Sequence, residues 1–329
     1  MKMSGLTSRT LEYFLTFLVI ITLNFMLPRM MPGDPFLHLS GEGGEEVWAF
    51  TAEQRQYFQE YYGLDRPLPE QYVRYLTGLA QGDLGVSYYY RDQVSSIIIR
   101  RLPWTLMIVA GATFLSLILG IFLGSFSAFH RESWKDKSLY LTMIVFSEIP
   151  AFLLGIALLI LFAAGMGLFP LSGAMSHFSN YTGWDQVKDV LHHAALPIIT
   201  LAFARVGGIY LLVRNTYTTV LGKDYIRTAR AKGLTEGRIR YYHALRNALL
   251  PLVTRVALQM GAMVGGAVLV ENVFAYPGLG RLMRDAVFVR DYPLLQGIFL
   301  VLAFGVIGAN LLADLLYRVL DPRTRGEGV

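Results

Sequence analysis

Among the charged residues that stand inside otherwise apolar runs of this 329-residue chain are Glu148, Arg205 and Arg255. A charge in hydrocarbon costs several kcal/mol unless it is paired or wetted, so each needs a partner or a polar path. Glu148 lies ten residues into its run, and the two arginines lie nine from the ends of theirs. At about 1.5 Å per helical residue all three reach a similar depth. An acid and two bases at one depth suit a clasp of Glu148 with Arg205 or Arg255, or a gate on a translocation pathway.

The second chemically dense stretch is 224–251, DYIRTARAKGLTEGRIRYYHALRNALLP, a basic segment between two apolar runs. Read as helix, Ile226, Ala229, Arg230 and Gly233 share one face, mostly small. Gly233 suits a helix stop, because glycine takes the left-handed conformation without steric penalty. Thr235 then suits an N-cap, with Glu236 in the positive first turn and Leu234 and Ile239 spaced as a hydrophobic staple. The spacing predicts helix, tight turn, helix, the second running through His243 and Arg246 into the next apolar run. That is a protein-docking surface fixed to a membrane span.

Elsewhere the chemistry is sparse. His192 and His193 are adjacent, about 100° apart on a helix, which suits an interfacial pair better than a chelate. The YPGLGR stretch at 276–281 marks a turn, with a role in gating second, and GEGG at 41–44 lacks the spacing of a dinucleotide loop. There is no GxxxxGK[ST]: Lys223 is followed by Asp224, where a magnesium-binding hydroxyl would be needed. HExxH and GxSxG are absent too, and with no cysteine there is no thiolate site. The chain is expected to have no catalytic residues, no metal and no cofactor of its own.

The elements that position these residues are membrane spans. At 54% hydrophobic and 16% charged, the composition is that of a polytopic membrane protein. Six apolar runs are predicted to span: 11–27, 103–129, 138–164, 194–213, 247–270 and 292–317. No small-x-small cleavage site follows the first, so it reads as a retained span. Of 29 Lys and Arg, 16 fall in loops on one side totalling 64 residues, against 11 on the longer opposite side. The positive-inside rule then places both termini and the 224–251 segment in the cytoplasm. The same crowding explains the net charge of +5 without nucleic acid. The segment 28–102 is external, with a helix that opens on a capping box at Thr51 and Gln54 and stops at Gly63. A second starts at Pro69, puts Tyr72, Leu76, Leu79 and Ala80 on one face and ends near Gly82. The expected organisation is 1–27, N-terminus and first span; 28–102, external; 103–320, a five-span core with cytoplasmic loop 214–246; and 321–329, a cytoplasmic tail.

The stretches RMMPGDP at 29–35, YGLDRPLPEQY at 62–72, GDLGVSY at 82–88, RTARAKGL at 227–234 and HALRNALLP at 243–251 resemble membrane-spanning permease subunits of ABC importers. VFAYPGLGRL at 273–282, RDYPLLQG at 290–297 and NLLADLLYRVLDPR at 310–323 extend the likeness, which is to the dipeptide, oligopeptide and nickel branch. The resemblance implies an all-α integral membrane protein of six transmembrane helices, with a cytoplasmic coupling helix and an external helical insertion after the first span. It implies that Ala229, Arg230, Gly233, Leu234, His243 and Arg246 belong to the segment coupled to an ATPase. Arg227 and Thr228 stand where the general family motif has Glu and Ala, and His243–Arg246 where it has I-x-L-P. Two cytoplasmic ATPase subunits or domains that bind ATP and magnesium, a second permease subunit, an extracytoplasmic binding protein and membrane lipid are the implied partners, in a prokaryotic inner membrane. The implied function is alternating-access import of peptides, with nickel complexes, glutathione or oligosaccharides as alternative cargo. The residues alone also leave open an ion-coupled secondary transporter built on Glu148 and the arginines, or a membrane-bound enzyme or sensor.

Overall fold

Long apolar stretches with no backbone partner outside themselves must satisfy their own N–H and C=O groups, and the described regular structure is accordingly helical apart from one bridge, Val86 to Gln93. The computed structural model describes residues 5–31, 52–176, 181–249, 252 and 267–320, the side chains of 5–14, 52, 55 and 312–320 excluded. Thr51, the 41–44 turn, most of the fifth expected span with Arg255, and the tail 321–329 lie outside the described residues.

Among the described residues three helices are long and apolar enough to cross a membrane: α4 (Val94–Phe129), α7 (Trp184–Leu221) and, in α12 (Tyr292–Leu320), the portion Tyr292–Leu311. The first expected span falls in α1 (Gly5–Met30). The third departs from a straight helix. α5 (Trp134–Glu148) and α6 (Ala151–Leu158), which continues as a π-helical stretch Leu159–Gly165, meet at 100°. Pro150 explains the break: it has no N–H to give and holds Ile149 extended, at φ −78° and ψ 121°.

The chain divides into two compact units, Met1–Pro103 with Gly278–Phe304, and Trp104–Pro277 with Gly305–Val329. In the first, α2 (Ala52–Tyr62) stops at Gly63, φ +67°, as expected. α3 (Leu68–Ala80) has Pro69 in its first turn, one residue after the start, and ends before Gly82. Tyr72, Leu76 and Leu79 are half-buried as the spacing requires; Ala80 is exposed and Tyr75 takes its place. This face packs on α1: the Phe25 ring lies 5.0 Å from Tyr72 and 5.7 Å from Tyr75. Thr22 and the Tyr72 hydroxyl share a hydrogen bond of 2.8 Å, and Asn24 Nδ2 donates to the Tyr75 hydroxyl at 3.2 Å. The core of the unit is Val94, Ile97 and Ile98 from the first turns of α4 against Leu279 and Leu282 of α11 (Leu279–Phe288) and Leu294, Leu295 and Ile298 of α12. Asp291 caps α12, its Oδ1 accepting from the Leu294 N–H at 3.2 Å.

The second unit is built around α7. α4 approaches it through Gly120 and Gly124: an added Cβ would stand 2.5 Å from Ile209 Cγ2 at the first and 2.9 Å from the Tyr210 carbonyl oxygen at the second. Small residues four apart permit such contact between membrane helices. Ile108, Ala112, Ala163, Leu201, Phe274 and Tyr276 are buried in its main core, while Phe114 and Phe122 stay exposed on α4, as lipid-facing residues do. Residues 267–273 form α10, and the chain turns over 274–278; of the expected 276–281 turn, Leu279, Gly280 and Arg281 are instead the first residues of α11.

Candidate functional site

The basic segment folds onto the end of α7 as a helix–turn–helix. α8 (Asp224–Ala231) turns Ile226 and Ala229 inward, where they meet Ala128, Tyr217, Ile239, Ala244 and Ala248. Gly233 stops it at φ +73°, with the Gly233 N–H donating to Arg230 O at 2.9 Å and the Leu234 N–H to Ala229 O at 3.3 Å, the paired bonds of a Schellman stop. The next helix, α9, begins at Glu236–Arg238, widens into a π-helical stretch Ile239–Leu245 and ends at Arg246–Ala248. The widening has a packing consequence. In i→i+5 geometry residues five apart align, so Ile239 and Ala244, both fully buried, face one core.

Polar bonds fix the pair further. The Tyr217 hydroxyl, at the foot of α7, donates to the Arg240 carbonyl at 2.7 Å, and Asn247 Nδ2 donates to the Tyr225 hydroxyl at 3.1 Å, joining α9 to α8. Thr235 has the extended backbone of an N-cap, but its side chain makes no capping bond. Glu236 instead bridges the turn: Arg230 Nε donates to its Oε1 at 3.0 Å, and Arg240 Nε stands 3.6 Å from its Oε2. Outward face Tyr241 and Tyr242, 67% and 60% exposed, with Arg227, Lys232 and Arg246.

Beneath this segment lies a buried cluster that reading the sequence missed. Arg214 on α7 grips Asp136 on α5 with both prongs, Nε to Oδ1 at 2.8 Å and Nη2 to Oδ2 at 2.7 Å. The Ser127 hydroxyl on α4 also donates to Asp136, which leaves the Tyr210 hydroxyl as donor to Ser127 at 2.6 Å. Three helices are thus joined through one carboxylate that is 2% exposed. Arg214 counts as a loop charge in the sequence. The signal for Asp136 is Ser133 three residues before it, whose Oγ accepts from the Asp136 N–H as an N-cap does.

Of the residues expected to couple, Arg230, Gly233 and Arg246 are exposed, Leu234 and His243 half-buried, and Ala229 lies in the chain's own core. All six sit in this helix–turn–helix. Among the described residues Glu148 and Arg205 do not pair with each other: Glu148 is exposed, Arg205 is half-buried on α7, and Arg255, the other expected partner, lies outside the described residues. Depth alone does not say which way Glu148 points. Ser147 faces α7, where a Cβ added at Gly207 would stand 2.7 Å from its Cβ, so Glu148, about 100° further round α5, points elsewhere. His192 and His193 bond separate backbone carbonyls, Leu168 O and Asp189 O, each at 2.9 Å, and no group of three metal-ligating side chains occurs among the described residues.

Residues 120–326 match the family described as binding-protein-dependent transport system inner membrane component, and residues 3–109 the N-terminal family of such membrane components. The chain is 36% identical over 316 residues to the oligopeptide transport system permease protein AppB of Bacillus subtilis (strain 168), covering 96% of this chain and 97% of that one. It is 38% identical over 327 residues to the dipeptide transport system permease protein DppB of Escherichia coli (strain K12), covering 94% and 95%. Among solved structures, an inward-facing conformation of the MetNI methionine ABC transporter superposes with a TM-score of 0.57 at 17% identity, over 68% of this chain and 96% of that one, a likeness of fold. The chain belongs to the binding-protein-dependent transport system inner membrane component family: it is a multi-pass inner-membrane permease subunit that works with other components of an ABC importer.

Proposed function

We propose that this permease carries peptides and that the helix–turn–helix of α8 and α9 is the surface on which a cytoplasmic ATPase docks. One observation carries the docking role: the segment buries an apolar face against the foot of α7 and turns tyrosines and cations outward. A part so fastened moves with α7, and the Asp136–Arg214 clasp passes that motion to α5. ATP and magnesium are then held and used by two partner ATPase subunits, and this chain has no cofactor of its own. A second permease subunit completes the pathway, with Glu148, Arg205 and Arg255 as its candidate gate residues. A binding protein delivers cargo to the outer side, where residues 28–102 lie. Crowding of Lys and Arg supports termini and docking segment in the cytoplasm. The peptide cargo rests on the 36% and 38% identity to the oligopeptide and dipeptide permeases.

The test is co-purification of the tagged chain with the products of its neighbouring genes, native against Gly233→Arg, followed by peptide uptake into vesicles. Native chain should bring down an ATPase and drive ATP-dependent uptake. The variant should remain in the membrane and lose both. Uptake that persists without ATP would overturn the reading in favour of an ion-coupled carrier.

A further inference from the structure

Four of the sequence stretches singled out above, beginning at Arg29, Tyr62, Gly82 and Arg290, close around one cavity of about 340 Å³ in the first unit. That volume is at the small end of ligand pockets. Its wall holds a cation with a prepared geometry. The Arg29 guanidinium lies 3.6 Å over the Phe25 ring, its Nε donates to Gln71 Oε1 at 3.0 Å, and Nη1 donates to the Phe25 carbonyl at 3.0 Å. Gln71 is itself fixed, because its Nε2 donates to Leu64 O at 3.2 Å and Arg66 O at 2.8 Å. Its carbonyl therefore can only face Arg29.

Two of the five guanidinium donors are used in this way, and no carboxylate pairs with Arg29 among the described residues. Arg74 lines the same cavity, its Nε 3.8 Å from Glu70 Oε1, and the one carboxylate among the lining residues is Asp83, whose Oδ1 is occupied by the Gly85 N–H at 2.8 Å. Gln296 also lines the cavity; it is 9% exposed, and its Nε2, shielded as placed, has no hydrogen-bond partner among the described residues, so a rotation of the amide would present a second donor there. A buried amide left without a partner costs free energy unless something fills the role, and the planar guanidinium is shaped for two oxygens of one anion.

We propose that this cavity is an oxyanion-binding site, with Arg29 as its anchor and the Gln296 amide as a second donor. The free carboxylate of a small peptide and the phosphate of a lipid headgroup share the required chemistry. The peptide source rests on the function proposed above; the oxyanion site does not.

The experiment is equilibrium dialysis of the purified full-length chain in phospholipid-free detergent, with labelled dialanine, its C-terminal amide and glycerol 3-phosphate as probes. Dialanine is expected to bind about tenfold more tightly than its amide, and about tenfold more tightly to native chain than to Arg29→Gln, the loss of one charge-assisted bidentate contact. Arg29→Lys, which keeps the charge but not the fork, should fall between. Should Arg29→Gln prove not to be monodisperse, the acid against the amide on native chain decides alone. Binding of glycerol 3-phosphate only, lost in Arg29→Gln, keeps the site and assigns it to a headgroup. Equal affinity for acid and amide, native affinity in a folded Arg29→Gln, or no binding of either anion overturns the proposal. ATP-driven dialanine uptake by the complete transporter reports separately on the function: uptake with neither anion bound sinks the site, and dialanine binding without uptake sinks the peptide reading.

Discussion

α2 and α8 end alike, each on a glycine of positive φ, +67° at Gly63 and +73° at Gly233, and each is followed by a second short helix. Their anchoring differs. α8 and α9 sink Ile226, Ala229, Ile239, Ala244 and Ala248 into an apolar core, whereas α3 fully buries none of its residues and is held to α1 by hydrogen bonds and ring contacts through Thr22, Asn24 and Phe25. Apolar burial scales with area and is indifferent to direction, while a hydrogen bond depends on angle and on one named partner. The first kind of anchor suits a part that is pushed and pulled. The second suits a part whose register against its neighbour matters.

The largest effect should come from below the apolar anchor. Asp136→Ala leaves the Arg214 charge without its partner and is expected to cost about 3–5 kcal/mol, read as a lower unfolding temperature of the purified chain. Joint replacement, Asp136→Leu with Arg214→Met, should return most of that loss, since a matched apolar pair has no buried charge to satisfy. If Asp136→Ala unfolds with the native chain, the clasp does not support α7.

Next in size are truncations within the anchors themselves. Ile239→Ala should cost about 2–5 kcal/mol and raise hydrogen exchange across 224–248. Leu76→Ala, at a half-buried site of α3, should cost about 1 kcal/mol or less and leave exchange in 68–80 nearly unchanged. Equal losses at the two sites would erase the contrast between the helix pairs.

Much of this was legible beforehand, and the reasons divide cleanly between local and tertiary causes. The stops at Gly63 and Gly233 and the start beside Pro69 depend on a few neighbouring residues, so the sequence states them. The apolar runs at 103–129, 194–213 and 292–317 announce α4, α7 and α12 by length. The run 138–164 reads as one span by length and composition, and Pro150 within it divides it into two helices that meet at 100°. Periodicity put Ala229 and Ile226 on one face without saying what that face meets, which is the chain's own core. Helical rise placed Glu148 in depth but not in azimuth. Asp136 and Arg214 are 78 residues apart, and only the packing of α5 on α7 joins them. Arg29 was visible as part of a stretch, while its lack of a carboxylate partner among the described residues required the cavity to be seen.

The shared stops supply a control for the comparison. Gly63→Ala and Gly233→Ala each force a side chain into the left-handed region, at about 1–2 kcal/mol. At Gly233 an added Cβ meets nothing within 4 Å, and at Gly63 the nearest atom is Arg66 Nε at 3.5 Å, so backbone strain alone sets the cost. The two changes should lower thermal stability to a similar degree despite their unlike anchors. A much larger loss at Gly233 would mean that the turn, rather than the apolar face, holds α8 and α9 together.

The smallest stability effect is expected at Glu236, which touches Arg230 and Arg240 across that turn but is half exposed. Exposed ion pairs contribute about 0–1 kcal/mol, because water and salt screen them, so Glu236→Gln should barely move the unfolding temperature. Its effect should instead fall on the partner. With the acid neutralised, Arg230 and Arg240 lose the group that fixes their direction, and ATPase recovered with the variant should become more sensitive to salt than with native chain. Measuring co-purified ATPase between low and high salt separates the alternatives. A change in salt response at constant thermal stability places Glu236 in setting the charge pattern of the docking surface, and a parallel fall in both would make it part of the anchor after all.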